Sequence, residues 1–217
     1  MTMQYQNQTW LGKKVIIGQT SINPSKPVNV LIGFHGAEST PENMLIHGNR
    51  LQLTNTVTIY PEGPVDAGNG VWSWWLDGPR QKEAVQQFLD FTAGMVDETH
   101  RFMKKQSVAN GFHTCLWGFS QGGAASLVYA LMGKHPVHKV ASICGFLPEL
   151  PEVTTQNGAT QILGIFGAND DVVPSFLAEH ALDEMQSRGH TLTAKETPQG
   201  HEVSAENIQD LIRFFEA

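Results

Sequence analysis

The stretch Thr114-Cys115-Leu116-Trp117-Gly118-Phe119-Ser120-Gln121-Gly122-Gly123-Ala124-Ala125-Ser126-Leu127-Val128-Tyr129-Ala130 runs from a short apolar strand, through a turn of small residues, into an apolar helix. Its centre fits G-x-S-x-G, the pattern of a serine carried on a sharp strand-to-helix turn. So tight a turn strains its central residue and admits only small neighbours, which Gly118 and Gly122 supply. It lifts the Ser120 hydroxyl above the sheet edge. It also aims the positive end of the helix dipole at the place where negative charge develops in an acyl transfer. Alone, the pattern is equally that of a glycine-rich turn with an incidental serine. The strand before it and the helix after it favour a nucleophile.

Outward from this turn, short apolar runs alternate with longer helical patterns, which predicts a mostly parallel sheet with helices on both faces. Strands are expected at Trp10–Gln19, Pro27–Phe34, Thr56–Tyr60, Thr114–Trp117, Val140–Cys144, Gln161–Phe166 and Thr191–Glu196. The turn-rich Asn23-Pro24-Ser25-Lys26-Pro27 suggests that the first two form an antiparallel hairpin at the sheet edge. Helices are expected from Ser39-Thr40-Pro41-Glu42 onward, and over Gln81–Lys105, Gly122–Lys134, Ser175–Ser187 and Glu202–Phe215, with Gly189 closing the fourth. No repeat or linker divides the chain, so one domain is expected over residues 1–217.

A serine hydroxyl needs a base, and on a fold of this kind the base and its acid follow the serine in the order acid, then histidine. Of nine histidines, His201 lies in Thr197-Pro198-Gln199-Gly200-His201-Glu202-Val203-Ser204, between the last expected strand and the last helix. That places it at the carboxyl edge of the sheet, where the elbow also opens. His35, His47, His100 and His113 precede Ser120 and break the order; His135, His138, His180 and His190 read as surface residues. The acid lies in Phe166-Gly167-Ala168-Asn169-Asp170-Asp171-Val172-Val173-Pro174, and spacing does not choose between Asp170 and Asp171. Leu31-Ile32-Gly33-Phe34-His35-Gly36-Ala37-Glu38 is a buried strand entering a small-residue loop. Together with the residue after the serine it would form an oxyanion hole from the backbone N–H groups of Ala37 and Gln121. His35 is expected to hydrogen-bond the loop backbone.

Composition narrows the partners. With 14 Lys and Arg against 21 Asp and Glu, a net charge of −7 and no basic run, a nucleic-acid partner is not expected. Cys115 and Cys144 each sit in an apolar run and read as small core residues. No His/Cys/Asp cluster has metal-ligand spacing, so neither metal nor cofactor is expected. No stretch of about 18 apolar residues or leader pattern is present, and a soluble, cytoplasmic protein without stable membrane insertion is expected. Oligomeric state is not legible.

The assembled motifs resemble the carboxylesterase/phospholipase family of the α/β-hydrolase fold, which includes the acyl-protein thioesterases. The resemblance runs from Val30 to the C-terminus. It rests on Phe-His-Gly at 34–36, Gly-Phe-Ser-Gln-Gly-Gly at 118–123, Gly-Phe-Leu-Pro at 145–148, the acid loop ending at Pro174, and Gly-His-Glu-Val-Ser at 200–204. It maps the acid onto Asp170, supports Ala37 and Gln121 as amide donors, and implies cofactor-free hydrolysis of short to medium acyl esters. S-acylated proteins and lysophospholipids are the alternative substrates. A catalytically silent small-ligand receptor is the alternative of another class, and a peptidase is conceivable by fold analogy alone. Two departures stand out. Ala37-Glu38-Ser39 replaces the family's Leu-Gly-Asp, and Val71-Trp72-Ser73-Trp74-Trp75-Leu76 is unusually rich in tryptophan. Trp72, Trp74 and Trp75 are read either as ordinary packing or as a wall of an acyl pocket.

Overall fold

The computed structural model describes residues 3–23, 25–106, 108, 110–152 and 158–217. Apolar residues at alternate positions give each inner strand two buried faces. In β3 (Val28–Phe34), Val30, Ile32 and Phe34 enter one core while Leu31 enters the other. In β7 (Phe112–Phe119), Leu116 faces the first core, and Cys115 and Trp117 face the second. A strand buried on both sides belongs inside a parallel sheet. Both strands lie there, in the order β1-β2-β4-β3-β7-β8-β9-β10. The remaining strands are β1 (Gln4–Trp10), β2 (Lys13–Gln19), β4 (Thr56–Pro61), β8 (Lys139–Ile143), β9 (Gln161–Gly167) and β10 (Thr191–Thr197). From β4 to β10 every pairing is parallel.

Helices α2 (Gln81–Lys105), α3 (Gln121–Met132) and α4 (Ser175–Ser187) bury side chains in the first core, and α1 (Pro41–Gly48) and α5 (Ala205–Glu216) in the second. The starts of α1 and α5 are fixed by caps. Thr40 Oγ1 accepts the Asn43 N–H, and Ser204 and Asn207 form a reciprocal capping box. That box starts the last helix three residues later than its apolar pattern suggests.

The expected edge hairpin is corrected. The run Trp10–Gln19 is split by Leu11 and Gly12, at φ 52° and 74°, a pair of left-handed residues that suits a tight hairpin turn. The edge hairpin is therefore β1–β2, and β2 pairs antiparallel with β4 on its other side. β3 lies inside, parallel to β4 and β7. The reason is burial. The mostly exposed, Gln-rich β1 tolerates an edge, whereas apolar β3 does not. Within the turn assigned to residues 23–27, Pro24 lies outside the described residues. A second small ribbon, β5 (Val65–Asp66) with β6 (Trp72–Ser73), arises where only a loop was expected.

Register sets the functional edge. Phe34 pairs with Gly118, Phe119 with Ile143, and Thr197 with Gly167, so the loops after β3, β7, β8, β9 and β10 leave the sheet at one edge. The elbow depends on two missing side chains. A Cβ on Gly118 would stand 2.1 Å from Gly122 O, and one on Gly122 would stand 2.0 Å from Phe34 O. Both obstacles are backbone. Gly122→Ala is expected to destabilise the fold by about 3 kcal/mol or more, read as a fall in the urea midpoint.

Candidate active site

Ser120 begins α3 with φ 57° and ψ −124°, a conformation a side-chain-bearing residue adopts only under constraint. Its N–H donates to Ile143 O at 2.9 Å, and its carbonyl accepts the Ala124 N–H at 3.0 Å. With the backbone pinned on both sides, the hydroxyl points away from the helix and lies 2.9 Å from His201 Nε2.

His201 and Asp170 come from the loops that leave the paired ends of β10 and β9. Asp170 Oδ2 is 2.8 Å from His201 Nδ1. Asp170 Oδ1 accepts the N–H groups of Val172 and Val173 at 2.9 and 2.8 Å. Burial pushes this carboxyl up, but the Val173 N–H, His201, the Val172 N–H and the Cys144 thiol outweigh it, leaving it below its ordinary range. An ionised carboxylate can only accept, so Nδ1 carries the proton and Nε2 presents a lone pair to the Ser120 hydroxyl. Asp171 is exposed, while Asp170 is buried, so the fold separates the two adjacent acids.

The loop after β3 is held by a buried polar network. The Gly63 N–H donates to His35 Nε2 at 3.2 Å, which puts the proton on Nδ1, and Nδ1 donates to Gly36 O at 2.7 Å. Trp74 Nε1 donates to His35 O at 2.7 Å. The Glu38 N–H donates to Ser73 Oγ at 3.0 Å, and Ser39 and Trp72 exchange backbone hydrogen bonds. From the start of α3, the buried Gln121 side chain accepts the Trp74 N–H at 2.9 Å and donates to Trp75 O at 3.0 Å. Among the described residues, neither the Ala37 nor the Gln121 N–H donates to another backbone group. Ala37 lines the same cleft as Ser120, and Gln121 is the next residue in the chain.

The cleft at Ser120 encloses about 380 Å³, with Gly36, Ala37, Met44, His47, Phe119 and Val172 among its walls. The acyl-wall reading of the tryptophans is corrected: none of the three lines this cleft. Trp74 and Trp75 are fully buried, stacked edge-on against Phe88, and Trp72 lies under the Lys13 ammonium, 3.6 Å from its ring centroid. Large apolar rings gain more from the core than from a wet cleft, and their backbone and indole groups fasten the loop. The sequence reading missed the side-chain role of Gln121, for which a buried polar residue next to the elbow is the only signal. It also missed His47 and Val172, which face the cleft through tertiary placement alone. Cys144, Asp170 and His201 each bring a ligand-type atom within 4.8 Å of the others. Three separate loops supply them, so no sequence spacing reveals the group.

The sequence model of the phospholipase/carboxylesterase family matches residues 19–217. The chain belongs to this family. It is 28% identical over 194 residues to the probable carboxylesterase SOBER1-like of Arabidopsis thaliana, covering 83% of this chain and 73% of that protein. Against esterase YpfH of Escherichia coli (strain K12) it is 28% identical over 192 residues, covering 86% and 82%. The carboxylesterase structure from Mesorhizobium loti superposes with a TM-score of 0.77 at 15% identity, covering 98% of each chain, a likeness of α/β-hydrolase fold.

Burial also sets a pH dependence. It holds His35 down to about 4 against an ordinary 6.5, opposed by the Gly36 carbonyl and Glu42. The unfolded chain therefore binds a proton here that the folded chain refuses, and stability is lost as pH falls from about 6.5 to about 4. In His35→Gln that loss, on the order of 3 kcal/mol, is expected to shrink, although the variant is less stable at pH 7. Urea midpoints measured across this window check it.

Proposed function

We propose that this chain is a serine hydrolase that cleaves carboxylic esters of short to medium acyl chains through an acyl-enzyme. The observation that carries the reading is the unbroken row Ser120 Oγ–His201–Asp170, at 2.9 and 2.8 Å, set beside two undonated N–H groups. His201 Nε2 takes the hydroxyl proton as Ser120 attacks the carbonyl carbon. The N–H groups of Ala37 and Gln121 receive the developing oxyanion, and His201 returns the proton to the leaving alcohol. Water then repeats the cycle to release the acid. Asp170 holds the imidazole tautomer and stabilises its charged form without itself taking the proton. The reaction draws on no cofactor. The esterase names of the relatives support the substrate class, and a cleft of about 380 Å³ is at the small end for ligand sites, which favours modest acyl groups.

A second reading, an acyl-protein thioesterase or lysophospholipase, is favoured by one feature. Val172, on the cleft wall, is 63% exposed, and Phe176 at the start of α4 is equally so. Apolar surface at a cleft mouth suits a long acyl chain. The buried free cysteines fit a cytoplasmic setting.

A fluorophosphonate probe is expected to label wild-type protein at Ser120 and to leave Ser120→Ala unlabelled. Labelling that survives in Ser120→Ala, or none in wild type, overturns the mechanism. Asp170→Asn is expected to lower kcat by about 10⁴-fold, while Asp171→Asn stays near wild type; the reverse pattern reassigns the acid. Rates on p-nitrophenyl esters of rising chain length should peak at short to medium acyl groups, and faster turnover of a palmitoylated peptide would favour the second reading.

A further inference from the structure

Behind the row of Ser120, His201 and Asp170 stands a group that the reaction just described does not use. β8 ends at Ile143, and the next residue, Cys144, has left-handed backbone at φ 50° with its N–H tied to Ile165 O at 2.8 Å. A cysteine gains nothing locally from that conformation. What it achieves is placement, because the turn carries the side chain beneath the acid loop. There it is fully buried. Burial, with the Asp170 carboxylate beside it, pushes the thiol up to about 12, so it remains an S–H across the working range. Gln199 Nε2 points at Sγ from 3.8 Å and is fixed by its second bond, to Glu202 O at 2.9 Å.

The thiol faces the carboxylate of Asp170. A carboxylate offers about four lone-pair positions. Oδ1 takes the N–H groups of Val172 and Val173, and Oδ2 takes His201 Nδ1. Among the described residues one position stays open, and Cys144 Sγ lies within 4.8 Å of a carboxylate oxygen of Asp170 and a ring nitrogen of His201. Among the described residues, the titratable side chains that act on this carboxylate are Cys144 after β8 and His201 after β10. Resting on the serine-hydrolase reading, we propose that Cys144 is a positioning residue whose S–H donates to Asp170. It extends the row to Gln199–Cys144–Asp170–His201–Ser120. The thiol keeps the carboxylate from swinging away from His201. By taking part of its negative charge, it also tempers how strongly Asp170 favours the protonated imidazole. Loss of the donor makes the carboxylate a stronger partner for the charged ring, so the base is lost to protonation at a higher pH.

The test is the kcat/KM–pH profile on p-nitrophenyl butyrate for wild type, Cys144→Ala and Cys144→Ser, with thermal midpoints alongside. In Cys144→Ala the acidic limb is expected to move up by about half a pH unit, with kcat reduced about fivefold and KM unchanged. Cys144→Ser, which restores a donor, is expected to return the limb to the wild-type position or slightly below it. A residue that only fills space would lower the thermal midpoint and leave the limb in place, and an unmoved limb in Cys144→Ala overturns the proposal. Should Cys144→Ala fail to fold, Cys144→Gly, which suits the left-handed backbone, replaces it. A limb that moves up in the glycine variant and not in Cys144→Ser supports the donor, and coincident limbs overturn it. Fluorophosphonate labelling of the wild type separates the two ideas: labelled Ser120 with unmoved limbs removes only the role of Cys144, and no labelling removes the hydrolase reading itself.

Discussion

Everything at the carboxyl edge of this sheet depends on how closely β7 and α3 approach. Gly118 faces the carbonyl of Gly122, Gly122 faces the carbonyl of Phe34, and the residue between them is forced to φ 57°. This contact brings the end of β3 against the start of α3, so one approach sets both the serine and the loop that carries Ala37. Strain of this kind costs about 1–3 kcal/mol. It is offset by the buried aromatic cluster of Phe34, Trp74, Trp75 and Phe88 around the same point.

Two histidines near this point meet opposite fates for one physical reason. His35 is enclosed, has both ring nitrogens bonded to backbone, and is held neutral by the cost of charging it there. His201 is partly exposed, with a buried carboxylate behind it and a hydroxyl before it. The first is a bracket, and the second has its two ring nitrogens between a carboxylate and a hydroxyl. Residue type does not distinguish them; their surroundings do.

Much of this was legible before any coordinates. The parallel sheet follows from strand-length apolar runs, and the candidate order of Ser120, an acid at 170 or 171 and His201 from the loops after them, because burial on both faces and chain order are written locally. The span of α2 matches its apolar period, Gln81–Lys105. What escaped is what only the third dimension decides. β1 was missed because an exposed edge strand of Gln and Asn carries no alternating pattern. The tryptophans were open between packing and pocket because period does not tell a core from a cleft. Spacing leaves Asp170 and Asp171 open and only the family resemblance points to Asp170, because which carboxylate turns inward is a tertiary fact; Cys144 meets the acid only through a left-handed residue that no motif announces.

The short helix α1 has a consequence of its own. It lends Asn43, Met44 and His47 to the cleft, yet none of the residues that would move protons or hold the oxyanion stands on it. It is moored from outside that machinery by its Thr40 cap, by Met44 in the second core, and by an ion pair from Glu42 to Lys14. Part of the cleft wall thus stands on an element apart from the elbow, while Phe119, Val172 and His201 are among the residues that supply the rest of it. Changes along α1 can reshape that part of the cleft while the backbone of the elbow stays as it is. A wall and a turn anchored in different layers of the protein can vary independently.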